Sequence, residues 1–320
     1  MNANASNSSS TTEPQLTSPD GSARATVVVI TGASSGLGLE TAKQLARQGA
    51  EIVMISRDRA RGERARSQVA SIATGRPPVL LLADLSVQDQ VRRLAGEVRA
   101  RYHGVDVLIN NAGNAFNRRQ PSADGIELTW ATNHLAPFLL TDLLLPALLA
   151  APAGRVVNVT AQVYSHKLDL DNLEGQRKYS WMGAYRISKL GVVLFTTELA
   201  RRIGGSSVTV VAVSPVPTKT NFGGGSLSGF MGAMTRVMKH TPALKSAEKG
   251  AEGIVWAATA PELQGTPGAL YMGHKRLSLK GAATDPVLAA RVWAISEKQT
   301  GIDPSRSPVA TLAAASRAKS

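Results

Sequence analysis

The chain has no cysteine among its 320 residues, so disulfides, thiolate metal sites and cysteine nucleophiles are excluded. Aromatic residues make up only 4% of it, which leaves few rings to stack nucleic-acid bases. No stretch approaches the roughly 20 apolar residues that a membrane-spanning helix needs. Neither His240 nor His274 has metal-ligand partners at a useful spacing. These absences are typical of a cytoplasmic protein, and they predict no metal site and no transmembrane segment.

The formal net charge of +13 raises the question of a nucleic-acid partner. The lysines and arginines, however, are spread along the chain. Their densest run, from Arg57 to Arg66, includes Asp58 and Glu63 and is typical of a solvated helix face. We therefore predict no nucleic-acid partner, and the composition leaves the role of the charge open.

Both ends of the chain differ in composition from its middle. Residues 1–23 are rich in Ser, Thr, Asn and Pro without the apolar core of a signal peptide, and we expect a disordered tail. Residues 303–320 lead to the same expectation. Between them, residues 24–302 show no shift in composition, and we predict a single domain.

Strand-like apolar runs alternate with helical patterns throughout this domain. Strands are predicted at about 26–31, 51–56, 78–83, 105–110, 154–160, 207–214 and 268–272. Helices are predicted at about 37–48, 59–73, 87–101, 125–150, 181–203 and 246–259. The alternation predicts an α/β fold, a doubly wound, seven-stranded parallel Rossmann-type sheet with helices on both faces. Its ligand crevice should lie beyond the carboxyl ends of the strands.

The first predicted strand is followed by a glycine-rich turn, Thr31-Gly32-Ala33-Ser34-Ser35-Gly36-Leu37-Gly38. The spacing G-x3-G-x-G differs from the commoner dinucleotide fingerprint G-x-G-x-x-G. A strand, a glycine-rich turn and a helix together bring backbone N–H groups up to a phosphate. A tight connection without a ligand is the alternative, and the context favours nucleotide binding.

Polar residues also end the second and third predicted strands. Ser56 and Arg57 stand where an acidic residue would select NAD(H), and a guanidinium suits the 2′-phosphate of NADP(H). Asp58 keeps NAD(H) as the weaker choice. Asp84, followed by Leu85, is able to accept from an adenine amino group or to cap the next helix.

Two further motifs bear on chemistry. Asn110-Asn111-Ala112-Gly113 ends the fourth strand and suits close contact with a flat ligand. Tyr185 and Lys189 share one face of a predicted helix. An ammonium beside a phenol should lower the pKa of the phenol from about 10, making Tyr185 a usable general acid or base.

Taken in order, T-G-x3-G-x-G, D-L, N-N-A-G and Y-x3-K resemble the short-chain dehydrogenase/reductase family over about residues 25–280. The segments 132–141 and 188–202 are similar to its retinol-dehydrogenase-like branch. The resemblance implies that Tyr185 is the proton donor, that Lys189 binds the nicotinamide ribose and tunes Tyr185, and that Asn133 positions a water. It also implies a set of cofactor-binding residues: Gly32, Ser34, Ser35, Gly36, Leu37, Gly38, Arg57, Asp84, Leu85, Asn111, Ala112, Gly113, Tyr185, Lys189, Pro215, Thr218 and Thr220.

The chain departs from the family pattern after the fifth strand. A serine that hydrogen-bonds the substrate oxygen is replaced, in the simplest alignment, by Ala161. Thr160 should point to the opposite face, since neighbours on a strand alternate. Tyr164 and Ser165 are alternative donors. The loss of one preorganised donor costs roughly 10²–10³ in rate. After the sixth strand, Val216 replaces a glycine of the family.

Residues 222–240, rich in Gly, Met and Phe, fall where the family has its substrate lid and indicate a lipophilic substrate; a helix packed on the core is the alternative. The sequence thus predicts an NADP(H)-dependent oxidoreductase that interconverts a ketone or aldehyde and an alcohol. Two alternatives stay open: a scaffold repurposed for cyclisation or isomerisation, and a non-catalytic NADP-binding regulator. Homo-oligomerisation is left open.

Overall fold

The computed structural model describes residues 25–217 and 245–317. Its strands are β1 (Val27–Thr31), β2 (Glu51–Ser56), β3 (Val79–Leu82), β4 (Val107–Asn110), β5 (Arg155–Val159), β6 (Thr209–Ser214), β7 (Pro267–Met272) and β8 (Lys275–Leu277). Its α-helices are α1 (Gly36–Arg47), α2 (Arg59–Ala70), α3 (Gln88–Arg101), α4 (Leu128–Leu149), α5 (Trp181–Arg202), α6 (Ala247–Thr259), α7 (Pro286–Thr300) and α8 (Pro308–Arg317).

The strands form one sheet in the order β3-β2-β1-β4-β5-β6-β7-β8. β1 to β7 pair in parallel, as the alternating pattern predicts. β8 is an addition that the sequence analysis missed, and it pairs antiparallel with β7. It is only three residues long, too short for a periodic pattern, and follows a tight turn in which Gly273 has a φ of +56°. The order reverses between β1 and β4, so the carboxyl ends of these strands border a crevice.

Helices cover both faces of the sheet because the central strands are apolar on both sides. β1, β2, β5 and β6 are buried along their whole length. One core joins them to α1, α2 and α6, and the other joins them to α3, α4 and α5. Each fully buried Val, Leu or Ile in these layers contributes about 1.5–3 kcal/mol, so the crevice has a rigid floor.

Helix α4 combines two α-helical segments with a π-helical turn, Ala131–Leu135. The helix is long and apolar enough to cross a membrane, which the sequence analysis did not foresee, but most of it is buried inside the fold. Such a helix is weak evidence for a membrane span, because core helices pass the same test of length and composition. The cytoplasmic location stays a prediction.

The carboxyl-terminal segment differs from the expected disordered tail. Pro308–Arg317 form helix α8, which packs on α4 and α5. Val309 is buried in the core, and Ser307 Oγ donates to Asp142 Oδ1 over 2.6 Å. Helix α7 was also missed, although Asp285 caps it and Gly301 ends it with a φ of +62°. The predicted domain end at 302 is therefore wrong, because the segment beyond it completes the core.

Candidate active site

The three glycines of the turn after β1 have different tasks. A Cβ on Gly38 would collide with the carbonyl of Gly32, and one on Gly32, which has a φ of +67°, would lie 3.0 Å from Ala112 Cα. Both glycines therefore let the turn pack against the end of β4. Gly36 also has a positive φ, +56°, but nothing lies within 4 Å of the place where its Cβ would stand. This open side of the turn is where a phosphate could approach the backbone.

Helix α1 begins without a capping side chain. Its N-cap, Ser35, makes no side-chain capping bond, and its first turn holds no acidic residue. Helix α2, in contrast, is capped by Asp58, whose carboxylate accepts from the N–H of Arg61. The first N–H groups of α1 are thus left with their positive partial charge facing the crevice, which favours an anion.

Hydrogen bonds tie the turn to the end of β4. Thr31 Oγ1 accepts from the N–H groups of Asn111 and Ala112, each over 3.0 Å, and Asn111 Nδ2 donates to the carbonyl of Thr31 over 2.8 Å. Asn110 is buried and donates to Asn158 Oδ1 over 2.8 Å. The expectation that paired amides face a flat ligand is therefore wrong for Asn110, which joins strands beneath the site.

A cavity of about 310 Å³ opens over the turn and the ends of β2, β3 and β4. Among its lining residues are Gly32, Ser34, Ser35, Gly36, Leu37, Gly38, Ser56, Arg57, Asp58, Arg61, Asp84, Leu85, Asn111, Ala112 and Gly113. All the cofactor-binding residues predicted from β1 to β4 thus meet in one place. Arg61 was missed; it lies in the first turn of α2, three residues after the N-cap Asp58, and its place in the arginine-rich run that starts at Arg57 was the available signal.

The charged groups at the rim of this cavity have defined partners. Arg57 Nη1 lies 3.8 Å from Asp84 Oδ2, with the two side chains 60% and 30% exposed. The other oxygen of Asp84 accepts from the N–H and the hydroxyl of Ser86. Asp84 does not cap α3, because Val87 is the N-cap, so that alternative is wrong. Both carboxylates near Arg57, Asp58 and Asp84, are already hydrogen-bonded to the chain.

Asn133 lies in the π-helical turn of α4 and is buried. Its Oδ1 accepts from the N–H of Asn114, and its Nδ2 donates to the carbonyl of Asn114 and to Ser188 Oγ, over 2.8 to 3.0 Å. Pro137 has no N–H, so the carbonyl of Asn133 lacks the usual helical donor four residues on. The Asn133 side chain holds the loop after β4, and the proline marks in the sequence where the helix departs from α geometry.

A second cavity, of about 280 Å³, shares Leu37, Asn111 and Gly113 with the first. Its other lining residues are Val159, Thr160, Ala161, Gln162, Val163, Tyr185, Lys189, Ser214, Pro215, Val216 and Pro217. Lys189 Nζ lies 5.8 Å from the centre of the Tyr185 ring and donates to the carbonyl of Val159 over 2.9 Å. The two cavities form one cleft that runs from Arg57 to Tyr185.

Similarity to known proteins shows the family of this chain. The family model described as short chain dehydrogenase matches residues 26–228. The chain belongs to the short-chain dehydrogenase family. It is 36% identical to a Streptomyces sp. (strain C5) protein described as a daunorubicin C-13 ketoreductase, over 90% of this chain and 97% of that one. It is 35% identical to human retinol dehydrogenase 13, over 86% of this chain and 85% of the relative.

A crystal structure of a Mycobacterium paratuberculosis protein of unassigned function has the same fold, with a TM-score of 0.69 and 34% identity. The match covers 86% of this chain and 93% of that one. The predicted resemblance to the retinol-dehydrogenase-like branch is confirmed. This short-chain dehydrogenase is therefore an oxidoreductase of a family that acts with a nicotinamide cofactor, and its relatives indicate lipophilic substrates.

The electrostatics of the tyrosine–lysine pair differ from the expectation. Burial raises the pKa of Tyr185 to about 12, whereas a lowered value was predicted. Burial also lowers the pKa of Lys189 from 10.5 to about 8. Desolvation outweighs the attraction between ammonium and phenolate at this separation, because burial removes the water that stabilises the charged form of each group. The phenol of this dehydrogenase is therefore protonated at neutral pH and suited to donate.

The lowered pKa of Lys189 gives a testable pH dependence of stability. Between pH 8 and pH 10 the unfolded chain keeps this lysine protonated while the folded chain does not, so the free energy of unfolding rises with pH. The shift from 10.5 to about 8 corresponds to about 3 kcal/mol at most. Denaturant unfolding of wild type and Lys189→Met across this range should show curves that diverge by up to this amount; parallel curves would contradict the assignment.

The end of β5 lacks a hydroxyl directed into the second cavity. Ala161 lines it beside Tyr185, while Thr160 Oγ1 donates to the carbonyl of Lys189. Ser165 Oγ donates to the carbonyl of Lys167, and the hydroxyl of Tyr164 accepts from the N–H of Lys280. Tyr164 and Ser165 are not among the residues that line the cavity, so the expectation that either substitutes for the serine is wrong for this arrangement.

Some predicted residues fall outside the described part of the chain. Pro215 and Val216 line the second cavity, but Thr218 and Thr220 lie outside the described residues. So does the predicted lid, residues 222–240. Their contribution to the cofactor and substrate sites stays a prediction.

Proposed function

We propose that this short-chain dehydrogenase uses NADP(H) to interconvert a ketone or aldehyde and an alcohol on a lipophilic small molecule, with Tyr185 as proton donor and acceptor. The observation that carries the proposal is the single cleft, whose two cavities share Leu37, Asn111 and Gly113. One end offers an uncapped helix N-terminus and two arginines, and the other end offers Tyr185 and Lys189. A dinucleotide has the same polarity, with phosphates and adenosine at one end and the reactive ring at the other.

The basic rim supports NADP(H) over NAD(H). Arg57 and Arg61 would hold the 2′-phosphate of the adenosine ribose, since guanidinium groups bind phosphate oxygens with charge-assisted hydrogen bonds. Asp58 would be the competitor that selects an unphosphorylated ribose. One of its oxygens accepts from the N–H of Arg61 at the start of α2, and the other lies 3.6 Å from Arg61 Nε. The turn after β1 would hold the pyrophosphate.

At the other end of the cleft, Tyr185 and Lys189 have different roles. The nicotinamide ring, when bound, supplies or receives the hydride. Tyr185 carries its proton at neutral pH, so it would give that proton to the carbonyl oxygen during reduction. Lys189, buried and anchored on Val159, would bind the nicotinamide ribose and compensate charge when the phenolate forms. Asn133 would keep the loop after β4 in place through its two bonds to Asn114.

The walls of the second cavity support a lipophilic substrate. Val159, Ala161, Val163, Pro215 and Val216 line it with apolar surface, and Val163 is 50% exposed. The names of the relatives, a daunorubicin C-13 ketoreductase and a retinol dehydrogenase, support a ketone or an alcohol as the reacting group.

The test is a steady-state assay that follows NADPH absorbance. We expect NADPH oxidation with daunorubicin or with aromatic ketones and aldehydes, and NADP+ reduction with retinol or another lipophilic alcohol. Tight NADPH binding without turnover on the whole panel would instead favour the non-catalytic regulator. Cofactor-dependent rearrangement of a carbonyl compound without net oxidation would favour the repurposed scaffold.

A further inference from the structure

The hydrogen-bond donors around Tyr185 can be assigned one by one. Lys189 Nζ donates to Val159, Thr160 Oγ1 to Lys189 and Asn111 Nδ2 to Thr31. Ser214 Oγ makes a long bond of 3.5 Å to the carbonyl of Pro215. Each of these donors is directed to a backbone carbonyl of the protein. The other N–H groups of Lys189 belong to the ribose site of the proposed function. Among the described residues that line this cavity, the amide of Gln162 is then the side-chain donor left beside Tyr185 for a substrate oxygen.

Gln162 directly follows Ala161 and lines the same cavity as Tyr185. Its Nε2 contacts Met272 Sδ at 2.6 Å, and among the described residues this is the hydrogen-bond partner of the amide. A thioether sulfur is a weak hydrogen-bond acceptor. The amide therefore loses little binding free energy when it leaves the sulfur, and it gains a stronger hydrogen bond to a charged oxygen. The side chain is exposed rather than packed, which leaves it free to turn about its χ angles.

An amide N–H is able to donate the hydrogen bond to the substrate oxygen that Ala161 cannot donate. Side-chain amides of Asn and Gln stabilise developing oxyanions in other enzymes, and a neutral amide does so without a change of protonation state. A carbonyl oxygen held near Tyr185 would have the phenol on one side and the β5–α5 loop on the other. A second donor there stabilises the negative charge that grows on oxygen as hydride reaches the carbon.

We propose that Gln162 is a catalytic residue that donates its Nε2–H to the carbonyl oxygen of the substrate, in place of a serine hydroxyl at position 161. The inference rests on the proposed function. No covalent bond to Gln162 forms or breaks: hydride adds to the carbonyl carbon, the Tyr185 proton moves to the oxygen, and the amide hydrogen bond strengthens as charge develops. Met272 is the resting partner of the amide between turnovers.

The experiment compares Gln162→Ala, Gln162→Glu, Ala161→Ser and the double variant Gln162→Ala/Ala161→Ser, with the most active carbonyl compound of the panel and NADPH. Gln162→Ala should lower kcat by about 10–100-fold, the lower part of the range for one oxyanion donor because the side chain is exposed. Gln162→Glu should be at least as damaging, since a carboxylate repels the oxyanion. Ala161→Ser should change the wild type little and recover most of the loss in the Gln162→Ala background.

Met272→Leu separates this role from a structural one. If Gln162 serves only to fix its loop on Met272, this substitution should reproduce the loss caused by Gln162→Ala; if Gln162 is the donor, Met272→Leu should keep kcat. NADPH affinity, measured by fluorescence titration, should be the same in every variant. If Gln162→Ala keeps the kcat of wild type, the inference about Gln162 is overturned and the proposed function stands. A wild-type protein that reduces none of the panel would refute the proposed function and the inference together.

Discussion

Replacing Tyr185 by phenylalanine is expected to lower kcat for carbonyl reduction by about 10²–10⁴-fold, the range that a positioned general acid contributes. The phenol lines the second cavity beside Lys189, and burial raises its pKa to about 12. The substitution removes the hydroxyl and leaves the ring, so the packing of α5 and the affinity for NADPH should survive. Steady-state kinetics and a fluorescence titration of NADPH measure the two quantities separately.

Tyr164→Phe is the matched control for this experiment. Tyr164 is a buried tyrosine of the β5–α5 connection, the segment that leads into the helix of Tyr185, and its hydroxyl accepts from the N–H of Lys280 instead of facing the cavity. The control should lose a modest amount of stability, about 1 kcal/mol for one hydrogen bond, and keep its kcat. Comparable losses of kcat in both variants would show that the proton does not come from Tyr185.

Replacing Arg57 by aspartate should reverse the cofactor preference. A hydrogen bond to a charged group is worth about 1.5–3 kcal/mol, and the new carboxylate would also repel a 2′-phosphate, so the Kd for NADPH should rise by about 10²-fold or more. NADH has no charge at that position, and its Kd should stay the same or fall. Isothermal titration calorimetry with both cofactors provides the comparison.

Arg59→Asp provides the control for net charge. Arg59 begins α2, is exposed and does not line the cavity, so the substitution makes the same change in charge two residues away. It should weaken both cofactors slightly, with a somewhat larger effect on NADPH because of its additional phosphate charge, and far less than Arg57→Asp weakens NADPH. Arg61→Ala should weaken NADPH selectively, to a smaller degree than Arg57→Asp because no repulsive charge is introduced. Equal losses of NADPH and NADH binding in Arg57→Asp would remove the basis for NADP(H) preference.

The sheet and its ligand edge were predictable from the sequence, since both follow from local pattern. Buried parallel strands are continuous apolar runs, and the motif residues come where those runs end, so β1 to β7 and the cluster around Gly36, Asp84 and Asn111 follow directly. The helix that carries Tyr185 and Lys189 was predicted with the correct first residue and within one residue of its carboxyl end. Ser180 caps its start, and a glycine pair follows Ile203 at its end.

What escaped prediction depends on three-dimensional surroundings. The sign of the Tyr185 pKa shift is set by burial, which the Y-x3-K spacing does not report. The directions of the Tyr164 and Ser165 hydroxyls are set by the β5–α5 connection, which has no periodic pattern. Helix α8 was hidden by its composition of Ala, Ser and Pro, although Val309, Leu312 and Ala313 follow the helical spacing that buries one face.

Helix α8 has a consequence for how the molecule is made. The hydrogen bond between Ser307 and Asp142 joins groups 165 residues apart, and α8 covers α4 and α5. On the ribosome, those two helices emerge well before residues 308–317, so the part of their apolar surface that α8 covers stays exposed until this segment has left the exit tunnel. Truncation before Pro308 should therefore favour aggregation during expression, whereas a purification tag placed after Arg317 leaves helix α8 in the chain.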